Sequence, residues 1–542
     1  MHLNTIQAGE FKDNFLQISD INDSRVQSKL KEHFTKKVNN WFVLRQKNKN
    51  IPIYQSFINE YNIISIGLWK EALNFANSNG IQITYDENFL NAIMDQSLSE
   101  EEFTSEVKDM FRDSYDNKGD RFCPFDYQIT AAFRLLKYKK SVIEVSTSGG
   151  KTLISFIVFK WLYEKGFIRN MVLFVPNITL VKQTTSAFNE YESYIVNPKW
   201  KKEWTFETAG GGSTYSAKEK TKEEIPNIII GTYQTITRFN KKWFSFQDCI
   251  LGDEIQHITA KSVQKIYSKS VNAKYKFGVS GTVYKKNEFN YFLTQGFIGP
   301  LVYSLTSAQL IHKEKRATPV IVVAQELKYS NIDKESLETF YNARLNKPSG
   351  DIQISGLIYN RERDYIRASE DRFKYIIEQI KRTKKNALVL FSDIKGSYGK
   401  KIYHTLLEET DKTLFYIDGN TSAGSRKEFL NQFESDESEN SIIIASIGVF
   451  SEGIDLKRLW NIYLVEPLKS EVILAQILGR GMRRFKDKKA VLLFDFQDNL
   501  DWPYKNGPTN KGTISYMSKH AAERNRIYKE RKFSIKKEEI IL

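Results

Sequence analysis

The chain has 542 residues, too many for a single hydrophobic core, and we expect about three or four domains. Its hydrophobic fraction of 41% is ordinary for a globular protein, which excludes a largely disordered or fibrous chain. The formal net charge of +15 favours a polyanionic partner, nucleic acid first, over the alternative that the charge serves only solubility.

The sequence carries no pattern typical of secretion, of a membrane span or of a disulfide framework. Cys123 and Cys249 lie far apart and lack metal-ligand spacing, as is usual in a reducing cytoplasm. The N-terminus has no basic region followed by an apolar core, and no apolar stretch reaches the roughly 18 residues of a spanning helix. We therefore expect a soluble, monomeric, cytoplasmic protein without a membrane partner.

Residues 1–115 are charged and aromatic, and they predict a small α+β accessory domain that binds DNA. The stretch "GLWKEALNFANSNG" predicts an amphipathic helix ending near Gly80, and "IQITYD" predicts a strand after it. The polar residues 117–119 predict a domain boundary. Trp41 and Phe42 stand beside the basic "RQKNKN", which fits a DNA-facing strand, although two core aromatics explain the pattern more simply.

Further along the chain, short apolar runs alternate with helical stretches, and each run stops at a polar or glycine-containing turn. This pattern is typical of buried parallel strands with functional loops at their carboxyl ends. It occurs in two successive groups, which predict two α/β domains. The first group is "SVIEVS", "MVLFVP", "NIIIGT", "CILGDE" and "YKFGVSGT", and the second is "ALVLFS", "TLFYIDG", "SIIIAS", "NIYLVE" and "AVLLFD".

These patterns divide the chain into five predicted regions. The last of them is basic, with ten lysines and arginines against five acids. The regions are an accessory domain at 1–115, a first α/β domain at 116–315, a linker or bridging segment at 316–360 that contains the strand-like "PVIVVAQEL", a second α/β domain at 361–500 and a basic tail at 501–542.

The stretch "STSGGKT" joins an apolar run to a predicted helix and is a candidate phosphate site. Ser148, Gly149 and Gly150 allow a tight turn whose backbone N–H groups converge on an anion. Lys151 adds a charge for the β- and γ-phosphates, and the Thr152 hydroxyl can bind Mg²⁺. The first glycine of the strict P-loop pattern is absent, so an ordinary strand–turn–helix explains this stretch equally well when it is taken alone.

An acidic pair, Asp253 and Glu254, follows a second apolar run. An acid at a strand end can hold magnesium, and its neighbour can polarise the water that attacks the γ-phosphate. Two solvated acids in a loop are the plainer alternative. That alternative weakens because the pair occurs together with the Gly-Lys-Thr turn and a basic chain.

A third group of residues lies in "QILGRGMRR", in the second α/β half. Arg480 and Arg483 lie three apart, on one face if a helix forms, and Gln476 precedes them. Arginines that stabilise phosphoryl transfer are often supplied by a second domain. The alternative is a basic helix that contacts nucleic acid.

The motifs, in this order, resemble those of the superfamily 2 helicases and translocases over residues 121–500. The segment "FCPFDYQ" is similar to the adenine-reading segment of that family, with Gln128 on the base edge. A narrower set, including "AGGGST" and "ASIGVFSEGI", resembles the UvsW-type helicases of T-even phages. The remaining family matches are "STSGGKT", "VLFVPNITLVKQ", "GTYQT", "DEIQ", "SGT", "LVLFS", "IIIASIGVFSEGIDL" and "QILGRGMRR".

The resemblance implies two tandem RecA-like domains that clamp ATP and Mg²⁺, with the small accessory domain before them. Gly453 and Asp455 match motif V residues that contact the ribose side of the nucleotide. Gln256, Ser280 and Thr282 match positions that couple the ATP site to nucleic acid. Gln256 departs from the histidine of many relatives, and we expect coupling to survive because an amide also forms hydrogen bonds.

The resemblance also implies a DNA helicase that remodels branched DNA by branch migration, fork regression and annealing, in the host cytoplasm if a phage encodes it, alongside recombination or replication proteins. An RNA helicase, the motor subunit of a restriction system and a binding module without turnover are the alternatives. Short polar side chains after the strands are candidates for phosphate contacts, although each also fits an ordinary turn or helix cap. They are Asn177, Thr179, Thr232, Gln234, Ser392 and Ser446.

Overall fold

The chain divides into two compact units, Met1–Leu305 and Thr306–Leu542. Within the described ranges, every helix is too short or too polar to cross a bilayer. The computed structural model describes residues 1–8, 13–39, 41, 45, 50–210, 215, 220–282, 288–329, 352–392, 397–435, 439–450, 456–468, 470–501 and 515–542.

A small α+β domain begins the first unit, as the sequence predicts. Leu3 and Leu16 are fully buried in its sheet, where the helix Trp69–Ser78 contributes Phe75 to the same core. This is the predicted amphipathic helix, and Gly80 follows it with a left-handed φ of +65°. The strands are β1 (His2–Ala8), β2 (Asp13–Ser19), β3 (Thr35–Lys37), β4 (Tyr54–Ser56), β5 (Ile63–Ser65) and β6 (Thr84–Tyr85), with further helices Ser24–His33, Glu87–Ile93 and Glu100–Met110 and the 3₁₀ turn Ile66–Leu68. The sheet order is β5-β2-β1-β6, and β3 pairs with β4.

A second sheet of the first unit contains seven described strands, all parallel. They are β7 (Lys140–Val145), β8 (Met171–Val175), β9 (Phe206–Ala209), β10 (Ile228–Thr232), β11 (Cys249–Asp253), β12 (Tyr275–Ser280) and β13 (Leu301–Leu305). The helices are Asp126–Lys137, Lys151–Glu164, Ile178–Tyr194, Tyr233–Ile236, Lys241–Ser245, Lys261–Lys269 and Phe289–Phe297, with 3₁₀ turns Pro198–Trp200 and Ile255–Thr259. Every residue of β8, β10 and β12 is buried, as expected of parallel strands covered by helices on both faces.

The strand order β13-β7-β12-β11-β8-β10-β9 brings distant parts of the sequence to one edge of this sheet. β12 lies between β7 and β11, and Ser280 pairs with Glu144 while Asp253 pairs with Val279. The loops after these three strands therefore emerge side by side. Parallel sheets bind ligands at this carboxyl edge.

The second unit contains another seven-stranded sheet among its described residues, again all parallel. Its strands are β14 (Val320–Lys328), β15 (Ala387–Phe391), β16 (Leu414–Ile417), β17 (Ile442–Ser446), β18 (Asn461–Leu464), β19 (Val491–Asn499) and β20 (Ser534–Ile541). Its helices are Ser307–His312, Ile352–Ala368, Glu370–Lys381, Ser397–Glu409, Ala423–Glu434, Ile447–Phe450, Glu471–Gly481 and Tyr516–Glu530. Two parallel sheets flanked by helices confirm the predicted pair of RecA-like domains.

The segment predicted as a linker, 316–360, contributes the strand β14 to the sheet of the second unit. β14 lies inside that sheet, since it pairs with β19 on one side and β20 on the other. The predicted tail, 501–542, supplies the helix Tyr516–Glu530 and the edge strand β20. The second compact unit also begins at Thr306 rather than after residue 315. These segments join the domain because strand partners come from distant parts of the chain.

A buried ion pair ties helices of the second unit to its sheet. The fully buried Arg372 donates to both carboxylate oxygens of Asp498 at 2.6 and 2.9 Å, and also to the Tyr398 hydroxyl and the Val465 carbonyl. Tyr329 donates to the same carboxylate at 2.6 Å. Each charge in the pair is therefore compensated and hydrogen-bonded, which burial requires.

Asp498→Ala should lower the free energy of local unfolding of the second unit's sheet by about 3–5 kcal/mol, because it leaves the Arg372 guanidinium buried without a counter-charge. Native-state hydrogen exchange of the amides in β14 and β19 measures this loss. Glu370→Ala is the matched control, since it breaks the exposed ion pair with Lys401 in the same unit and should leave exchange near wild type. Equal exchange in both variants would contradict the structural role of the buried pair.

Candidate nucleotide and nucleic-acid sites

The turn between β7 and the helix Lys151–Glu164 is shaped by its two glycines. Gly150 has a left-handed φ of +82°, and an added Cβ would lie 2.1 Å from Nε2 of Gln128. An added Cβ on Gly149 would lie 2.5 Å from Cγ1 of Val145. Space requires glycine at both positions, and the backbone conformation requires it at Gly150 as well. Ser148 also has a left-handed backbone, with φ of +74°.

Gln128 holds this turn in place from the preceding helix. Its side chain is buried, Oε1 accepts from the backbone N–H of Phe125 at 2.9 Å, and Nε2 donates to the carbonyl of Gly149 at 3.2 Å. The sequence predicts this amide on the adenine edge. In the structure both ends of the amide have backbone partners, and contact with the base stays a prediction.

The acidic pair meets the turn through Lys151. Nζ of Lys151 lies 3.6 Å from Oε1 of Glu254, and both side chains are largely buried. The backbone N–H of Glu254 donates to Oδ1 of Asp253 at 2.8 Å. Glu254 has a left-handed φ of +51°, a strained conformation for a non-glycine residue and one often found at functional sites.

Asp253 lies at the end of β11, where it is partly buried. Burial, together with the neighbouring charge of Glu254, raises the pKa of Asp253 to about 6, although Lys151 acts in the opposite direction. The two acids therefore share a site that has more negative charge than Lys151 alone compensates. Such a site attracts a further cation.

A chain of hydrogen bonds leads from Glu254 to the end of β12. Nε2 of Gln256 donates to Oε2 of Glu254 at 2.7 Å, and Oε1 of Gln256 accepts a short hydrogen bond from the Ser280 hydroxyl. Ser280 Oγ also accepts from the backbone N–H of Thr282 at 3.1 Å. Gln256 and Ser280 are buried, so the structure brings together all three residues predicted to couple the sites.

Gly281 is a site residue that the sequence reasoning missed. An added Cβ there would lie 3.3 Å from Oγ1 of Thr147 and 3.4 Å from Nζ of Lys151. The position faces the phosphate turn at close range, and a side chain would crowd the lysine. The signal was available, because Gly281 stands between two of the residues singled out in "SGT".

The predicted residues of the second unit lie along the helix Glu471–Gly481 and just beyond it. Gln476 is half-buried within the helix, and Arg480 is buried in its last turn. The helix ends before Arg483, so the expectation that both arginines share one helical face is wrong. The backbone carbonyl of Arg483 accepts from Thr318 Oγ1 at 3.1 Å and from Lys488 Nζ at 3.0 Å, which holds the chain after the helix.

The candidate nucleic-acid residues of the first unit follow the neighbouring strands β8 and β10. Asn177 and Thr232 are helix N-caps, accepting from the backbone N–H groups of residues 180 and 235 at 2.9 and 3.3 Å. Thr179 and Gln234 lie two residues after these caps, in the first turn of each helix, and both are exposed. Helix capping thus explains two of these four residues, Asn177 and Thr232. Contact with nucleic acid stays a prediction for all four.

In the second unit, Ser392 and Ser446 stand on neighbouring strand ends, since β15 and β17 pair at this point. Ser392 donates to the buried Glu466 through its backbone N–H and, at 3.1 Å, through its hydroxyl, and Arg367 pairs with the same carboxylate. Sequence reasoning missed Glu466, although it follows the apolar "NIYLV" run just as Asp253 follows "CILG".

Gly453 and Asp455, the predicted motif V residues, lie outside the described residues.

Gly150→Ala should abolish ATP binding, because the new methyl group displaces the Gln128 amide that supports the turn. Gly166→Ala is the matched control. It imposes the same left-handed strain at φ of +72°, but an added Cβ meets nothing within 4 Å. Calorimetric titration with ATP measures both variants. Equal affinity in the two would mean that the close approach of Gln128 has no bearing on the site.

Comparisons with known proteins identify families and relatives that this chain resembles. A family model described as the res subunit of type III restriction enzymes matches residues 121–285, and one described as the helicase conserved C-terminal domain matches residues 371–485. The ATP-dependent DNA helicase uvsW of Enterobacteria phage T4 is 27% identical over 419 residues, 76% of each protein. The DNA 3'-5' translocase XPB2 of Sulfurisphaera tokodaii is 22% identical over 390 residues, 68% of this chain and 80% of that protein.

A solved structure supports the fold. The ATP-dependent Type ISP restriction-modification enzyme LlaBIII, bound to DNA, aligns with a TM-score of 0.53 at 15% identity, over 99% of this chain and 38% of that one. The two helicase models together span just over half of the sequence, and they cover the phosphate turn, the acidic pair and the helix that carries Arg480. The chain belongs to the superfamily 2 helicases, and it is an ATP-dependent enzyme of that class.

Proposed function

We propose that this enzyme is a DNA helicase or translocase that uses ATP to remodel branched DNA. The observation that carries the proposal is the continuous contact path from Lys151 through Glu254 and Gln256 to Ser280. This path joins the phosphate turn to the end of β12, which lies at the same carboxyl edge of the sheet as the candidate nucleic-acid residues after β8 and β10. The phage T4 relative, named an ATP-dependent DNA helicase, supports DNA as the substrate.

ATP would bind at the turn after β7, where backbone N–H groups at the start of the helix Lys151–Glu164 face its phosphates. The phosphates compete with Glu254 for the Lys151 ammonium, which lies 3.6 Å from the carboxylate. Once Lys151 turns to phosphate, Oε1 of Glu254 would orient a water and accept its proton. Gln256 holds the other oxygen throughout.

The donor set at this site fits Mg²⁺, because the partly buried Asp253 supplies a carboxylate and Glu254 beside it adds negative charge that Lys151 alone does not balance. Thr152, the second helical residue after the turn, would supply its hydroxyl. When bound, the ion neutralises negative charge on the phosphates. Asp253 and Thr152 would then hold the ion while Glu254 stays available to the water.

Residues of the second unit would complete the ATP site. Arg480 and Arg483 are the proposed arginines for the transition state, Gln476 assists them, and Gly453 and Asp455 contact the nucleotide. Support comes from their order in the helicase motifs and from the match of the C-terminal helicase model up to residue 485. Closure of the two units on ATP and their reopening after hydrolysis would then move the strand.

Branched DNA is the proposed substrate because the protein has surfaces beyond two RecA-like sheets. The N-terminal domain adds a separate sheet, whose core also includes Tyr291 and Phe292 of the helix Phe289–Phe297, and the net charge of +15 suits contact with more than one duplex arm. The candidate contacts Asn177, Thr179, Thr232, Gln234, Ser392 and Ser446 would bind phosphates and carry little sequence information. Binding should therefore depend on DNA structure and salt rather than on base sequence.

Glu254→Gln should bind ATP and hydrolyse it roughly 10²–10⁴-fold more slowly, because the amide cannot accept the proton from water. Single-turnover hydrolysis and ATP binding, measured separately, check this prediction. Glu207→Gln, at an exposed acid of the same unit, is the matched control and should hydrolyse ATP normally. Wild-type hydrolysis by Glu254→Gln would remove this residue from the mechanism.

Ser280→Ala should leave ATPase activity without nucleic acid near wild type while lowering the yield of unwinding per ATP by roughly 5- to 150-fold, the usual size of coupling between two sites. The reason is that the path from Glu254 to the strand end loses its last hydroxyl. Ser270→Ala is the control, since Ser270 is equally buried but its hydroxyl donates only to a carbonyl of its own helix. Parallel losses in both variants would contradict a coupling role.

Forked or four-way DNA should be remodelled in an ATP-dependent reaction, whereas an RNA duplex of equal length should not. Deleting residues 1–115 should reduce the preference for junctions more than the basal ATPase activity, because the ATP-site residues all follow them. Strand-displacement assays on matched substrates measure both effects. Equal or better unwinding of RNA would replace this proposal with an RNA helicase, and nuclease activity of the purified chain would favour a restriction motor.

A further inference from the structure

A second surface of the Thr306–Leu542 unit has the chemistry of a nucleic-acid site. A groove of about 350 Å³ opens at the amino ends of strands β15, β18 and β19. It is lined by basic residues before β15 and by aromatic residues that lie in, or directly before, the two other strands. The lining includes Arg382, Lys384, Lys385, Trp460, Tyr463 and Phe494.

The charge of the groove is one-sided. Arg382, Lys384 and Lys385 are exposed, and no acidic residue lines the groove. Within the described part of the chain, none of these three cations has an ion-pair partner. Three exposed cations in a groove whose lining contains no acid favour an anionic occupant.

The aromatic part of the groove is preorganised. Tyr463 and Phe494 stack with ring centroids 4.6 Å apart and an interplanar angle of 6°. The Tyr463 hydroxyl is held by Thr383 Oγ1 at 2.6 Å, so this ring is fixed, while Phe494 and Trp460 remain partly exposed. The ammonium of Lys385 lies 5.8 Å from the ring centroid of Trp460. Flat apolar faces beside unpaired cations suit a base with its phosphate.

The position of the groove separates it from the sites described above. Ser392 and Ser446 follow the carboxyl ends of β15 and β17, whereas Lys384 and Lys385 precede the amino end of β15. The five residues of β15 place the two edges roughly 17 Å apart, at about 3.3 Å per residue. Nucleic acid in the groove would therefore make a contact additional to any at the carboxyl edge.

We propose that this groove binds single-stranded nucleic acid, with a base against the Trp460 and Phe494 rings and phosphates on Arg382, Lys384 and Lys385. The inference rests on the proposed function in one respect, that the substrate is nucleic acid. The groove holds a strand that has left the duplex. It binds any base by stacking and the phosphates by charge, so its affinity depends little on sequence. It would keep a displaced strand on the enzyme.

Photo-crosslinking tests the assignment directly. The full-length protein is irradiated with a 20-nucleotide oligothymidine that carries 5-iodouracil, and mass spectrometry locates the crosslinks. We expect one crosslink at Trp460 in addition to others elsewhere. Lys384→Glu/Lys385→Glu leaves every ring in place, and it should abolish the Trp460 crosslink and weaken oligonucleotide binding roughly five- to a hundredfold.

The control Lys529→Glu/Lys537→Glu removes the same charge from exposed positions elsewhere in this unit and should retain the Trp460 crosslink. Crosslinks elsewhere with none at Trp460 would overturn the proposal. Loss of the Trp460 crosslink in the presence of excess AMP would also overturn it, because the groove would then be a site for free nucleotides. Nucleic-acid-stimulated ATPase activity, measured in parallel, reports on the proposed function separately. It should persist in Lys384→Glu/Lys385→Glu at saturating oligonucleotide.

Discussion

The site depends on the carboxylate of Glu254, because its two oxygens contact two different partners. Oε1 lies 3.6 Å from the ammonium of Lys151, and Oε2 accepts a hydrogen bond from Gln256 at 2.7 Å. One oxygen therefore responds to the phosphate turn while the other leads toward Ser280. The left-handed backbone of Glu254 directs the side chain between these partners, and its strain is maintained by the surrounding sheet.

The parallel sheet makes this arrangement possible. β12 lies between β7 and β11, so the phosphate turn, the acidic pair and Ser280 emerge from three adjacent strand ends although they are widely separated in sequence. Gln256 spans the gap with an amide, whose N–H donates to the acid and whose oxygen accepts from the serine. Glutamine performs both tasks with a single side chain, without depending on the tautomer that histidine would need.

Much of this fold and site was predictable from sequence, because buried parallel strands read as apolar runs that end in polar loops. All ten predicted runs are strands of the two large sheets. The edge strand β20 was missed because "SIKKEEII" is largely exposed and lacks an apolar run. The hydrogen-bond partners of the site residues were less predictable than the strands that carry these residues. No local pattern indicates that Gln128 donates to Gly149 or that Ser392 donates to Glu466, since each contact joins residues distant in sequence.

Hydrogen–deuterium exchange on adding ATP with magnesium tests whether nucleotide binding reaches the end of β12 through Glu254, Gln256 and Ser280. We expect slower exchange in two separate segments of the wild-type protein, the phosphate turn at 146–152 and the strand end at 278–282. In Gln256→Ala the turn should still be protected while the strand end is not. Protection of the strand end in that variant, or protection of the turn alone in the wild type, would show that these contacts do not transmit nucleotide binding to the end of β12.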